Sequence, residues 1–151
     1  MEYIFNEFIK NMSFHKGGEM FEFRRKIYGY ECDIYGHLNN SNYLQLLEAA
    51  RAEALIEMGI PVARLLEWGI SIFVSNINIS YKKPLQIEQV ASVKTRTSKI
   101  TKVKGIWVQE IYNEDNILCA KAIVTGVFTS QGKPVRIANE LYQLMSEFLE
   151  D

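Results

Sequence analysis

Cysteine is nearly absent from this 151-residue chain: Cys32 and Cys119 are its only two. That count excludes a disulfide framework and suits a reducing compartment. Also missing is any run of about eighteen apolar residues, so no segment is expected to span a membrane. The first residues carry no basic stretch followed by an apolar core, which argues against a secretion signal. A cytoplasmic location is the resulting expectation. A net charge of −1 shows no excess of either sign. No nucleic-acid partner is therefore expected, while local basic clusters remain available to smaller anions. Internal repeats and low-complexity tracts are absent as well.

What is present is ordinary for a globular protein: 48% apolar and 23% charged residues. One domain is expected, long enough to bury roughly two thirds of the surface its unfolded chain exposes. Residues 1–19 differ in texture from the rest. Lys16-Gly17-Gly18-Glu19 leads into Met20, and a purine-rich ribosome-binding sequence followed by a start codon would encode such a peptide. One reading makes residues 1–19 an N-terminal extension upstream of a natural start, with the domain running over 20–151. The other is a short helix, because Ile4, Phe5, Phe8, Ile9 and Met12 share a helical face.

Residues 21–32 are rich in aromatics and suit a first strand. Residues 42–59 predict one long helix. Leu44, Leu47, Ala50, Ala54, Leu55 and Met58 supply its apolar positions, charges intervene, and Gly59 provides a stop. The small residues Ala49, Ala50, Ala52 and Ala54 let it lie close to a sheet. Pro61 opens a shorter helical turn that Gly69 closes. Strands are expected over 70–81, 87–98, 106–112 and 117–129, divided by turn-forming segments. In the first of these, Phe73, Ile77, Ile79 and Tyr81 alternate with Asn76 and Asn78. Residues 138–149 predict an amphipathic helix with Leu141, Leu144, Met145 and Phe148 inward. One strand, a long helix and four further antiparallel strands make an α+β pattern, a helix laid against a single sheet.

The most informative stretch is residues 33–43, Asp-Ile-Tyr-Gly-His-Leu-Asn-Asn-Ser-Asn-Tyr. A carboxylate precedes Gly36, and small polar residues then open the long helix. This arrangement holds an acid or base beside the positive end of a helix, where backbone N–H groups can receive developing negative charge. Cys32 adjoins Asp33, but no neighbouring base is evident, so it is read as a small strand hydrophobe. The stretch resembles the active-site signature of the hotdog-fold acyl-CoA thioesterases, in the 4-hydroxybenzoyl-CoA thioesterase-like branch. That signature is Asp-x-x-Gly-His-x-Asn-Asn followed by an aromatic and the central helix, and the resemblance covers about residues 21–140.

The resemblance implies a hotdog fold: an antiparallel five-stranded sheet wrapped around a long central helix. It also implies chains that pair through their sheets, as a dimer or as a homotetramer built from two dimers. The implied reaction hydrolyses an acyl-CoA to free acid and coenzyme A, with Asp33 as general base or as nucleophile. The backbone N–H at the helix start, which falls on Asn40, would polarise the carbonyl; removing such a donor costs about 10²–10³ in rate. Coenzyme A is part of the substrate, so no separate cofactor and no metal are expected.

Gly36 permits a tight loop and close ligand approach. His37 is either a general acid or substrate-orienting group, or a histidine that bonds the loop, and the structural role is preferred. Glu48, two turns into the helix, either pairs with Arg51 or acts as the glutamate that some hotdog enzymes take from this helix. Lys99, Lys102 and Lys104 cluster at a turn where family members meet the coenzyme A phosphates; a solvated turn explains them equally well. Lys82 and Lys83 are weaker candidates for that contact. Asn76 and Asn78 either line the tunnel or face solvent.

Two rival readings use the same residues. An acyl-carrier-protein thioesterase would dock an acidic carrier on a basic patch near the tunnel. A non-hydrolytic acyl-CoA binding module would keep the tunnel without turnover, and Asp33 beside the helix start argues against it. A hotdog dehydratase would need a catalytic histidine elsewhere in the pattern, and a transcription factor would need an attached DNA-binding unit.

Overall fold

The computed structural model describes residues 20–150. The 1–19 extension and its apolar helical face lie outside the described residues.

Strand β1 (Phe21–Lys26) leads through a 3-10 turn (Gly29–Glu31) into helix α1 (Asn40–Glu57) and a short helix α2 (Val62–Glu67). Strands β2 (Ser71–Tyr81), β3 (Val90–Ile100), β4 (Lys104–Tyr112) and β5 (Leu118–Ser130) follow. A two-residue β6 (Lys133–Pro134) and helix α3 (Asn139–Ser146) end the described chain. All strand pairs are antiparallel, in the order β1-β3-β4-β5-β2, with β6 folded back on β5. Helix α1 buries Tyr43, Leu46, Leu47 and Ala50 against Ala91, Val93, Ile111, Ala122 and Val124 from three strands. A sheet curled over one helix is the hotdog arrangement, with the small β6 added to the five strands expected.

A second apolar cluster surrounds the last turns of α1. There Ala54, Leu55 and Met58 meet Trp107, Phe128 and the α3 residues Leu141, Leu144 and Met145. The Trp107 indole fits because it lies over glycines. A Cβ on Gly105 would stand 2.6 Å from the ring, and one on Gly126 would stand 2.8 Å from it.

Three expectations shift. β1 stops at Lys26, because the chain turns to bring Glu31 back onto Arg25. Helix α1 starts at Asn40 because Asn39 caps it, and Leu46 faces inward where Leu44 was expected to. In β2 a bulge at Ser75 separates the Val74–Gly126 pair from Asn76–Thr125. The extra residue reverses the alternation, so Ile72, not Phe73, shares the inner face with Ile77 and Ile79. β2 is an edge strand whose outer side pairs with no strand among the described residues. No helix among those residues is long and apolar enough to cross a membrane.

Candidate active site

Residues 33–37 form a small loop closed by an antiparallel bridge between Cys32 and Leu38. Inside it the Asp33 N–H donates to the His37 carbonyl at 2.8 Å, and the Gly36 N–H donates to the Asp33 carbonyl at 3.1 Å. Gly36 sits at φ +74°, where a Cβ would meet no atom within 4 Å, so the left-handed backbone and not crowding requires glycine. The loop is tied to the segment before β3 by Leu38 N–H to the Leu85 carbonyl at 2.8 Å and Ile87 N–H to the Gly36 carbonyl at 3.0 Å.

The Asp33 carboxylate accepts backbone N–H bonds from Tyr35 at 2.8 Å and His37 at 3.2 Å, both on Oδ1. This Asx turn fixes the group's orientation. Among the described residues no hydrogen bond reaches Oδ2. The half-buried Asp33 lines a cleft of about 380 Å³ with His37, Asn40, Tyr43, Tyr81, Lys82 and Lys83.

Asn39 caps α1: its Oδ1 accepts the Ser41 N–H at 3.1 Å and the Ser41 hydroxyl at 2.9 Å. The Asn42 N–H donates to the Asn39 carbonyl at 2.9 Å. The Asn40 N–H, first of the helix, has no acceptor among the described residues, and the Asn40 carbonyl accepts the Tyr81 hydroxyl at 3.1 Å. An unpaired N–H at the positive end of an 18-residue helix thus shares a cleft with a carboxylate. That pair of groups can take up a proton and hold an oxyanion.

Glu31, which the sequence pattern did not single out, ties the start of α1 to the turn that precedes the Asp33 loop. Its side chain is buried, binds Arg25 through contacts of 2.6 and 2.8 Å, and accepts the Tyr28 N–H at 2.9 Å. Its carbonyl accepts the Asn39 N–H at 3.0 Å and the Asn42 side-chain amide at 2.8 Å. Hydrogen bonds from the Arg25 guanidinium hold the Glu31 carboxyl below the usual carboxylate range. The available signal was an acidic residue just before Asp33; nothing local marked Arg25 as its partner. Tyr81 was also missed as a site residue. Its ring stands edge-on to Tyr43, with centroids 5.0 Å apart, and the Tyr43 hydroxyl accepts the Leu85 N–H at 3.2 Å.

His37 serves the loop through its backbone and is among the residues that line the cleft. Cys32 is poorly suited to attack: burial and then the charges of Glu31 and Asp33 push its thiol up, and Sγ donates to the Tyr28 carbonyl at 3.5 Å.

The remaining expected site residues lie elsewhere. Glu48 is exposed on α1 and lines a separate cavity with Arg51. No salt bridge joins those two among the described residues; Arg51 donates to Gln109 at 2.9 Å instead. Lys99, Lys102 and Lys104 occupy the β3–β4 turn, where Lys102 donates to Asn139. The Asp33 loop borders the other end of β3, which is 11 residues or roughly 33 Å long. One chain therefore does not bring these lysines to the cleft, whereas Lys82 and Lys83 line it. Asn76 and Asn78 are exposed on β2. Among the described residues no three His, Cys, Asp or Glu side chains are grouped to hold a metal ion.

The chain is similar to the long-chain acyl-CoA thioesterase FadM of Escherichia coli (strain K12), with 32% identity over 103 residues. The match covers 68% of this chain and 77% of that protein. A crystal structure from Aquifex aeolicus is 30% identical, with a TM-score of 0.78 over 83% of this chain and 98% of that one. The DHNA-CoA thioesterase of Staphylococcus aureus, at 23% identity, shares the fold with a TM-score of 0.80 over 84% and 89% of the two chains. Residues 29–145 match the model of the thioesterase-like superfamily, a span that contains the whole Asp33 loop and α1, and the chain belongs to that superfamily of thioester hydrolases.

Proposed function

We propose that this protein hydrolyses acyl-CoA thioesters in the Asp33 cleft. The observation that carries the reading is the pairing there of a carboxylate whose Oδ2 is open with a helix N–H that has no acceptor. A thioester carbonyl oxygen placed on the Asn40 N–H presents its carbon to that side of the cleft. As a general base, Asp33 takes a proton from water and the hydroxide adds to the carbonyl carbon. The tetrahedral oxyanion rests on the helix N-terminus, the C–S bond breaks, and the departing thiolate recovers the proton from Asp33. As a nucleophile, Oδ2 itself displaces the thiolate and leaves a mixed anhydride that water cleaves. Trapping an acyl-aspartyl species on rapid quenching would mark the second route. Lys82 and Lys83, which line the cleft, are the candidates in this reading to meet the phosphates of coenzyme A.

The same reading makes the protein a dimer or a dimer of dimers. The β2 edge is unpaired, Phe73 and Val74 are exposed along it, and α1 turns Leu44 and Ile56 outward. Antiparallel pairing of two β2 strands about a twofold axis sets the Tyr81 end of one against the Ser71 end of the other. The cleft then gains walls that one chain lacks. A cytoplasmic location suits the two free thiols, Cys32 and Cys119.

The test is release of coenzyme A thiol from short, long and aromatic acyl-CoAs, with sedimentation of the same sample. Hydrolysis by a species of at least dimer mass supports the reading. Release only from an acyl-carrier protein would reassign the substrate, and release from neither would leave a binding module. A fully active monomer would reject the shared site.

A further inference from the structure

Beside the second half of α1 lies a cavity of about 310 Å³ with walls that are mainly apolar, among them Leu55, Met58, Ile72 and Trp107. Two charged side chains of α1 also line it, Glu48 and Arg51. Arg51 Nη1 donates to Oε1 of Gln109 at 2.9 Å. Gln109 is wholly buried, and its amide nitrogen is committed to the Leu47 carbonyl at 3.0 Å and the Thr95 hydroxyl at 2.9 Å. The guanidinium is thus held from behind by a fixed amide.

Its other N–H groups have no acceptor among the described residues. None of them is fully buried, and Arg51 lines the cavity, so they remain within reach of a ligand there. Burial pushes the Arg51 pKa down, opposed by the charge of Glu48 one turn away. A charged donor in an apolar wall, with only a neutral amide as partner, is left with hydrogen-bonding capacity that a ligand can satisfy.

We propose that this cavity receives the acyl tail and that Arg51 and Glu48 select tails bearing a hydroxyl group. The inference rests on the hydrolase and the paired-chain readings above. Within one chain, Val74 at the cavity and Tyr81 at the cleft stand seven residues apart on β2, about 23 Å. Antiparallel pairing of the β2 edges brings the cleft of one chain to the cavity of its partner, so an acyl group held at Asp33 extends into it. A hydroxyl there accepts from Arg51 and donates to Glu48, which satisfies both. A plain alkyl tail leaves the guanidinium unmatched, and a terminal carboxylate meets the charge of Glu48.

The experiment compares acyl-CoAs of one chain length, unsubstituted, terminally carboxylated, or hydroxylated at successive carbons. The best hydroxyacyl-CoA should exceed its unsubstituted parent by about tenfold or more in kcat/KM. Arg51→Met should bring that ratio close to one, and Arg51→Lys should retain part of it. A wild-type ratio at or below one for every hydroxyl position overturns the proposal, as does an unchanged ratio in Arg51→Met. If Arg51→Met does not fold, calorimetry on wild-type protein with non-hydrolysable thioether analogues of the same pair decides, and equal Kd values overturn it. A protein that hydrolyses no acyl-CoA refutes the hydrolase reading, while the thioether titration still tests the cavity separately.

Discussion

Arg25 near the end of β1 and Glu31, the last residue of the 3-10 turn, meet through two N···O contacts of 2.6 and 2.8 Å, one carboxylate oxygen to each guanidinium nitrogen. This pair joins the end of β1 to the start of α1, because the Glu31 backbone carbonyl also binds Asn39 and Asn42. An ion pair outside the cleft thus helps anchor the start of α1 beside the Asp33 loop.

Breaking that pair should be costly. Arg25→Met would leave the buried Glu31 carboxylate unmatched and lower stability by about 3 kcal/mol, read from urea unfolding. The pair also predicts acid sensitivity. The folded-state pKa of Glu31 lies below its ordinary 4.5, so its stabilisation is complete above that value and is lost as pH falls through the folded value. Wild type should lose more stability than Arg25→Met on acidification below 4.5. Parallel acid curves for the two proteins would contradict the assignment.

Asp33→Asn should keep the fold and lose the reaction. The asparagine oxygen can still accept the Tyr35 and His37 N–H groups, so the thermal midpoint should stay close to wild type. The amide cannot take up the proton, and kcat should fall by about 10²–10⁴. A variant that kept more than about a tenth of wild-type kcat would move the chemistry away from Asp33 and make Glu48 the next residue to change.

Lys82 and Lys83 changed together to Ala should raise KM for an acyl-CoA, leave kcat nearly constant, and show an effect that shrinks with salt. An acyl-pantetheine, which lacks the nucleotide, should be indifferent to the change. Lys99, Lys102 and Lys104 changed to Ala should have the smaller effect, since β3 separates them from the cleft of their own chain. A larger effect from the triple variant would mean that another subunit brings its β3–β4 turn to the site.

Gly126→Ala should destabilise the protein by about 1–3 kcal/mol, because the new methyl would overlap Trp107 and Ile72 in a packed wall. Both neighbours line the Arg51 cavity, so the preference among acyl tails should change as well. A thermal midpoint equal to that of wild type would show that the indole has room to yield.

The local sequence determined the Asp33 loop, because every constraint there acts over a few residues. An Asx turn needs Asp33 and the next four residues, a left-handed corner needs Gly36, and a helix start needs Asn39 as its cap. The long helix, the strand-rich second half and the closing helix were legible for the same reason, since their periodicity is carried by neighbours. Tertiary structure alone decided which residues meet across the chain. The Ser75 bulge inverted the β2 face because its register depends on β5, not on the alternation within β2. The lysines of the β3–β4 turn lie a strand's length from the cleft, while Tyr81, Lys82 and Lys83 reach it, because the order β1-β3-β4-β5-β2 fixes which strand ends are neighbours. Arg51 found Gln109 instead of Glu48 because β4 lies under the helix and offers a buried carbonyl, a partner that helical spacing cannot show.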